Sequence, residues 1–525
     1  MRALANSRNN RAAAVAAITL ALTLLGCSRA APQNDSGALN FLIETMPTNL
    51  DPRIGTDAFS QHMHDLIFSS LVARDAQMNF TPDLATSWET PDPLTYIFHL
   101  RRGVHFHNGA PFTSADAKFT FDSIVGGDLK TAKRGSFRMV ASVEAPDDFT
   151  LIFHLREAYA SFLWNLSRPG VGIVPRGSSP DLAQHPIGTG PFKFVSLTPD
   201  DEIVLERNSD YFGEIPKIER VRFRLVPDAT VRALELRKGS ADLASPSSLT
   251  PDMVVALSRY KGIEVTQGPG TSLAYLAFNF DDPILSKREV RQALAYATDR
   301  DTIVKYLLRG QARPASSLLP SNHWAYDGNV ATYPYDPARA ERLFDEAGLP
   351  RAKDGVRCHL TLKTSTDEST RLYSEVLQAQ WQKIGVALEL RPQEYATFYS
   401  DITHGSFQIY TQRWVGGNND PDIYEFVFSS KKFPPDGANR GHYKNPQLDA
   451  LLDQSHAELD REKRRALLAD IQRIVADDLP YINLWYPDNI CVHRDTVQID
   501  AIAPSGDYTF LNNLEFRPAS ASELK

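Results

Sequence analysis

Apolar and polar positions recur along this chain with both helical and strand periods, which predicts a mixed α/β molecule. The clearest stretch runs from Leu273 to Gly310. Tyr275, Ala277 and Asn279 alternate with Leu276, Phe278 and Phe280 in a nearly uncharged run, which predicts a strand buried on at least one face. Asp282 and Pro283 end it. Ser286 with Glu289 has the spacing of a capping box, and Val290, Ala293, Leu294 and Ala297 then share one helical face. Thr298 with Asp301 repeats the signature ahead of Ile303, Val304, Leu307 and Leu308, and Gly310 supplies a left-handed stop.

Before this hub, Leu39 to Glu44 reads as a short strand, and Asn49, Asp51, Pro52 and Gly55 make a loop. A helix with Leu66, Ile67, Leu71 and Val72 on its apolar face follows. Tyr96, Phe98 and Leu100 alternate with Ile97, His99 and Arg101, Ser114 to Ile124 is a capped helix, and Phe149 to Leu155 alternates again. Pro186 to Phe192, PIGTGPF, is a backbone punctuator suited to a crossover between domains. After the hub, strands and helices alternate as in a second α/β lobe. Asp336 and Pro337 start one helix, and Ser369 to Ile384 is another. Asp460 to Ala476 carries the run DREKRR, read as a solvated face, and strands near Tyr481 to Leu484 and Ile490 to His493 are expected to close this lobe.

A chain of 525 residues is too long for one core, and about three domains are expected. The boundaries read as 39–72 with 186–272 and 496–520 for domain I, 73–185 for an inserted domain II, and 273–495 for domain III. At the start, Arg2, Arg8 and Arg11 precede an uncharged run from Ala12 to Gly26, which suits a secretory signal and is short for a membrane span. It ends in Leu24-Leu25-Gly26-Cys27, which resembles a bacterial lipobox, so 1–27 is read as a lipoprotein signal with Cys27 acylated and 28–38 as a tether. The alternative is a plain cleaved signal with an incidental Cys. Removing the three arginines takes the formal charge from -8 to -11, an acidic balance that argues against nucleic-acid partners. Cys358 and Cys491 could bridge, but two isolated cysteines are more often buried thiols.

The stretch with the chemistry to meet a ligand is Arg413 to Asp422, RWVGGNNDPD. Trp414 offers an apolar platform, Gly416 and Gly417 expose backbone, Asn418 and Asn419 bring donors and acceptors, and Asp420 brings a charge. A surface loop with a hydrophobic plug is the competing reading. His62 with His64 and His105 with His107 could be metal pairs, but His62 and His64, two apart on a helix, point to different faces. No HExxH, G-x-S-x-G or Walker loop is present, so no enzyme activity or cofactor is expected. An exported metal-dependent hydrolase built on the His pairs is the contrasting hypothesis.

Several segments together resemble one family. FNFDDPILSKREVRQALAYATDRDTIV, FTPDLATSWE, TYIFHLRRGVHFHNG, PIGTGPF, RNSDYFG and the YDPA at Tyr335 are similar to landmarks of family 5 extracellular solute-binding proteins, the dipeptide, oligopeptide and nickel receptors of ABC importers. They spread from about Leu39 to about Tyr486. The resemblance implies a two-lobed periplasmic-binding-protein-like fold (type II, cluster C) with an extra inserted α/β domain. It further implies a monomeric receptor in the cell envelope, anchored by lipid, that hands a solute to ABC permease subunits. The solute is peptide or peptide-like by default, alternatively a nickel or other metal chelate or a glycan. Laid on the family's W-x-x-D-x-x-[DE]-P segment, Trp414, Asp420 and Pro421 put Gly417 where peptide receptors carry the Asp that pairs with the ligand's ammonium. An amino terminus would then need another carboxylate, Asp420 or Asp422. The Arg that dipeptide receptors aim at the ligand's carboxylate is also missing from Lys363 to Asp367.

Overall fold

The hub strand, Leu273–Phe278, is buried at all six residues and lies inside a six-stranded sheet. Its lack of charge follows from that position, since a strand covered on both faces has no side for polar residues. In this computed structural model, which describes residues 37–517 apart from 76, 128, 168, 169 and 417–419, the strand pairs antiparallel on both sides. The sheet order is Ala312–Pro314, Tyr481–Pro487, Leu273–Phe278, Ile409–Trp414, Cys358–Ser365 and Val386–Gln393. The helix Glu368–Lys383 packs on it through Tyr373, Leu377 and the fully buried Trp381. Cys27, Gly417, Asn418 and Asn419 lie outside the described residues.

A seven-stranded sheet forms the other lobe, in the order Ile263–Gly268, Asn489–Arg494, Leu243–Ala244, Ala38–Ile43, Arg220–Leu225, Glu202–Arg207 and Phe192–Thr198. The strand Asn489–Arg494 was expected in the second lobe. Instead it pairs along its whole length with Ile263–Gly268, Val265 opposite Val492. Its buried apolar pattern suits either sheet, and only the partner strand decides which one it joins. The chain therefore passes between the sheets at two adjacent points, 268–273 and 487–489. Gly270 makes their approach possible: a Cβ there would sit 2.2 Å from the Pro487 carbonyl oxygen. Asp488 ties the crossings together, accepting from Arg313 Nε at 2.8 Å and Gln267 Nε2 at 2.7 Å.

A four-stranded antiparallel sheet, Ala85–Asp92, Thr95–Leu100, Thr150–Leu155 and Val140–Asp147, makes a third layer with the helix Ser114–Val125. Thr113 and Asp116 close a capping box at that helix, and Phe98, Phe121, Phe153 and Phe162 fill the core beneath it. This module joins the seven-stranded lobe at PIGTGPF, where the Gly190 N–H donates to the Ile67 carbonyl at 2.9 Å.

Two helix starts differ from expectation. Lys287 stands at the N-cap of Arg288–Tyr296 with no side-chain cap, so the Ser286–Glu289 capping box does not form. Asp282 takes the turn instead, its Oδ1 accepting from the backbone of Ile284 at 2.9 Å and Leu285 at 3.0 Å. At the next turn the cap is Asp299 rather than Thr298, and the helix continues as a π turn over Ile303–Leu307. Thr298 is drawn inward, donating to the Leu294 carbonyl at 2.7 Å and accepting from Trp381 Nε1 at 3.0 Å. Gly310 has the expected left-handed backbone, φ +74°. Cys358 and Cys491 are free and buried, and burial pushes the Cys358 thiol up to about 11.

Candidate functional site

Strand Ile409–Trp414 sends Tyr410, Gln412 and Trp414 to one face, because alternate residues of a strand share a side. Trp414 stacks on Tyr275 at 5.9 Å and meets Phe426 edge-on at 6.3 Å. Its Nε1 is buried with no hydrogen-bond partner among the described residues. The chain then turns at Gly416, φ +69°, and re-enters the described residues at Asp420.

Asp420 is buried, and its Oδ1 accepts from the Asp422 N–H at 2.9 Å and from Ser161 Oγ at 2.8 Å. Ser161 belongs to the four-stranded module, so this bond crosses the cleft between that module and the second lobe. Burial, and then the charge of Asp422, push the Asp420 carboxyl up to about 7. Arg464 completes the contact, Nη2 donating to Asp422 Oδ1 at 2.6 Å and to Ser161 Oγ at 3.0 Å. Next to it the Ala160 N–H donates to the His456 carbonyl at 3.1 Å, and the Tyr159 ring lies 4.8 Å from the imidazole. Hydrogen bonding to Glu425 Oε2, 2.9 Å from Nδ1, holds the His456 pKa above its ordinary value.

This Tyr159–Ser161 strap borders a cavity of about 480 Å³ walled by Arg138, Tyr159 and Trp164 on one side and Trp414, Asp422 and Lys432 on the other. A second cavity of about 280 Å³ shares Trp164 and Asp420 with it. The pair is of the size and aromatic character that small solutes occupy. Trp414, Gly416 and Asp420 are thus brought together at one cleft.

The histidine pairs are not brought together as metal sites. His64 is buried with Nε2 3.2 Å from the Asn49 carbonyl, and burial, then Lys133, lower its pKa to about 3. His62 stacks on Tyr508 at 4.3 Å. His107 Nε2 lies 3.1 Å from the Gly190 carbonyl and burial lowers its pKa to about 4, while His105 is exposed. The set that does converge among the described residues is Asp422, Glu425 and His456, with ligand atoms within 4.8 Å of one another. Arg464 on Asp422 and Lys432, 3.2 Å from Glu425, already answer its charges.

Sequence reasoning missed Ser161 and Arg464. The second sits in the DREKRR run read as solvated, yet it is 7% exposed. A signal was available: Arg464 shares a helical stripe with Leu468, Ile471 and Val475, all buried.

A cleft between an α/β lobe with its added module and a second α/β lobe, joined by paired crossings, defines a two-lobed type II solute-binding fold. Residues 79–433 match the family described as bacterial extracellular solute-binding proteins, family 5 Middle. The dipeptide-binding protein of Escherichia coli (strain K12) is 27% identical over 524 residues, covering 94% of this chain and 97% of that protein. Heme-binding protein A of Haemophilus influenzae is 29% identical over 491 residues, covering 88% of this chain and 86% of its own. Among solved structures, NikA from Brucella suis in complex with Fe(III)-EDTA superposes with a TM-score of 0.82 at 26% identity, covering 91% of this chain and all of that one (100%). The chain belongs to the family 5 extracellular solute-binding proteins, whose members in these comparisons are binding proteins rather than enzymes.

Proposed function

We propose that this protein is a lipid-anchored receptor of an ABC importer that captures a solute between its lobes and delivers it to the permease without chemical change. The observation that carries this reading is the aromatic-lined 480 Å³ cavity, whose two walls come from different modules and are latched by Ser161, Asp420 and Arg464. Enclosure between two bodies gives a solute contacts on all sides and couples its binding to closure. Trp414, Gly416, Gly417, Asn418, Asn419 and Asp420 form the binding segment, Cys27 carries the lipid, and the protein works as a monomer at the outer face of a membrane. Peptides are the solute class that the dipeptide-binding relative supports. A metal chelate is the second reading, supported by the likeness to NikA in complex with Fe(III)-EDTA.

The test is native mass spectrometry on the protein from Ser28 to Lys525, purified without denaturant. A ladder of peptide masses lost on unfolding is the expected result. A stoichiometric metal chelate would move the assignment to the second reading. Turnover of a captured solute would overturn the receptor reading.

A further inference from the structure

Beside Trp414 lies a buried arginine that tyrosines surround and no carboxylate among the described residues meets. This residue, Arg440, is 7% exposed. Its hydrogen bonds are two long ones to neutral hydroxyls, Nη1 to Tyr410 Oη at 3.5 Å and Nη2 to Tyr399 Oη at 3.4 Å. The guanidinium carbon is 5.3 Å from the Tyr399 ring centroid and 5.8 Å from that of Trp414. Aromatic faces and hydroxyls lend partial negative charge, but they leave most of the five guanidinium N–H donors without an acceptor among the described residues. Buried arginines elsewhere in this chain are met by stronger acceptors. Arg464 has Asp422 at 2.6 Å, Arg53 has Asp51 at 2.7 Å, and Arg291 has the Asp478 carbonyl at 2.6 Å.

The Trp414 ring, 5.8 Å from this guanidinium, connects it to the cleft. Trp414 Nε1 is a second buried donor without a partner, and Trp414 walls the 480 Å³ cavity. Tyr399, on the other flank of the guanidinium, is 43% exposed. A buried cation with no carboxylate partner beside an unpartnered N–H, at a partly open aromatic edge, is complementary to one chemical group, an anionic oxygen pair.

We infer that Arg440 and the Trp414 indole N–H form an anion subsite in the second-lobe wall of the cleft, which takes a carboxylate of the solute. It would supply a cationic anchor for that carboxylate, which the Arg-free stretch Lys363–Asp367 does not. The inference rests on the proposed function only for the source of the carboxylate. Anion binding at Arg440 is a property of the protein alone.

The experiment uses acetate as the probe and acetamide as its neutral counterpart, with Tm read for the solute-free protein from Ser28 to Lys525. Wild type is expected to gain Tm with acetate and not with acetamide. Arg440→Gln is expected to weaken the acetate response about tenfold or more, as loss of a charge-assisted pair does. Trp414→Phe should weaken the response with the charge still present. An identical acetate response in Arg440→Gln, or none in wild type, overturns the subsite. If Arg440→Gln does not fold, bromide-soaked crystals of wild type decide: an anomalous peak beside the guanidinium supports the subsite, and its absence overturns it. A solute captured equally by wild type and Arg440→Gln sinks the subsite and leaves the receptor standing. Acetate bound at Arg440 in a protein that captures no solute does the reverse.

Discussion

Trp414 and Asp420 make different kinds of contribution, and each can be tested alone. The indole is a large apolar surface held in place by Tyr275 and Phe426, so its truncation removes a platform without unravelling the strand that carries it. Trp414→Ala is expected to weaken solute binding by on the order of 2 kcal/mol or more, read by calorimetry. An unchanged affinity would mean that the solute sits elsewhere. For Asp420 the folded pKa of about 7 lies above the ordinary carboxylate value of about 3.9, so folding favours the protonated form. Its stabilisation is complete below about pH 4 and is lost as pH rises through about 7. His456, also raised, acts in the same direction, since its protonated form is the one paired with Glu425. Asp420→Asn should therefore flatten the wild-type decline in Tm between about pH 4 and 7, measured as the difference between the two proteins. Parallel curves would contradict it.

Individual elements were largely legible because their signals are local. Alternation places Thr95–Leu100 and Leu273–Phe278, and the Asp336-Pro337 start places Pro337–Glu346. What failed was the choice among equivalent local options. Asp282 and Asp299 were as good as Ser286 and Thr298 as helix starters, and packing of Trp381 onto the Thr298 hydroxyl settled one case. The destination of Asn489–Arg494 needed its partner strand, more than 200 residues upstream by the pairing of His493 with Glu264. The cleft contact was invisible for the same reason, Ser161 and Asp420 being 259 residues apart and Ser161 and Arg464 303. In PIGTGPF the glycine requirement is steric: a Cβ on Gly188 would lie 2.0 Å from the Ile67 carbonyl oxygen. Gly188→Ala is expected to lower stability by about 1–3 kcal/mol in denaturant titrations, as overpacking does. A neutral substitution would show that the module and lobe are not pressed together there.

At the scale of the whole molecule, the two crossings at 268–273 and 487–489 are the narrowest covalent links between the sheets, and they are where a hinge would act. Across the cleft, Ser161, Ala160 and Tyr159 meet Asp420, Arg464 and His456 through a few polar bonds rather than a shared apolar core. Such a contact can open and reclose as a solute enters. The most direct test is hydrogen–deuterium exchange by mass spectrometry on the solute-free protein with and without the co-purified solute. Slowed exchange concentrated in Tyr159–Trp164 and Trp414–Phe426, with the core strand Leu273–Phe278 unchanged, is the expected result. Protection confined to a surface away from these segments, or none at saturating solute, would contradict capture between the lobes.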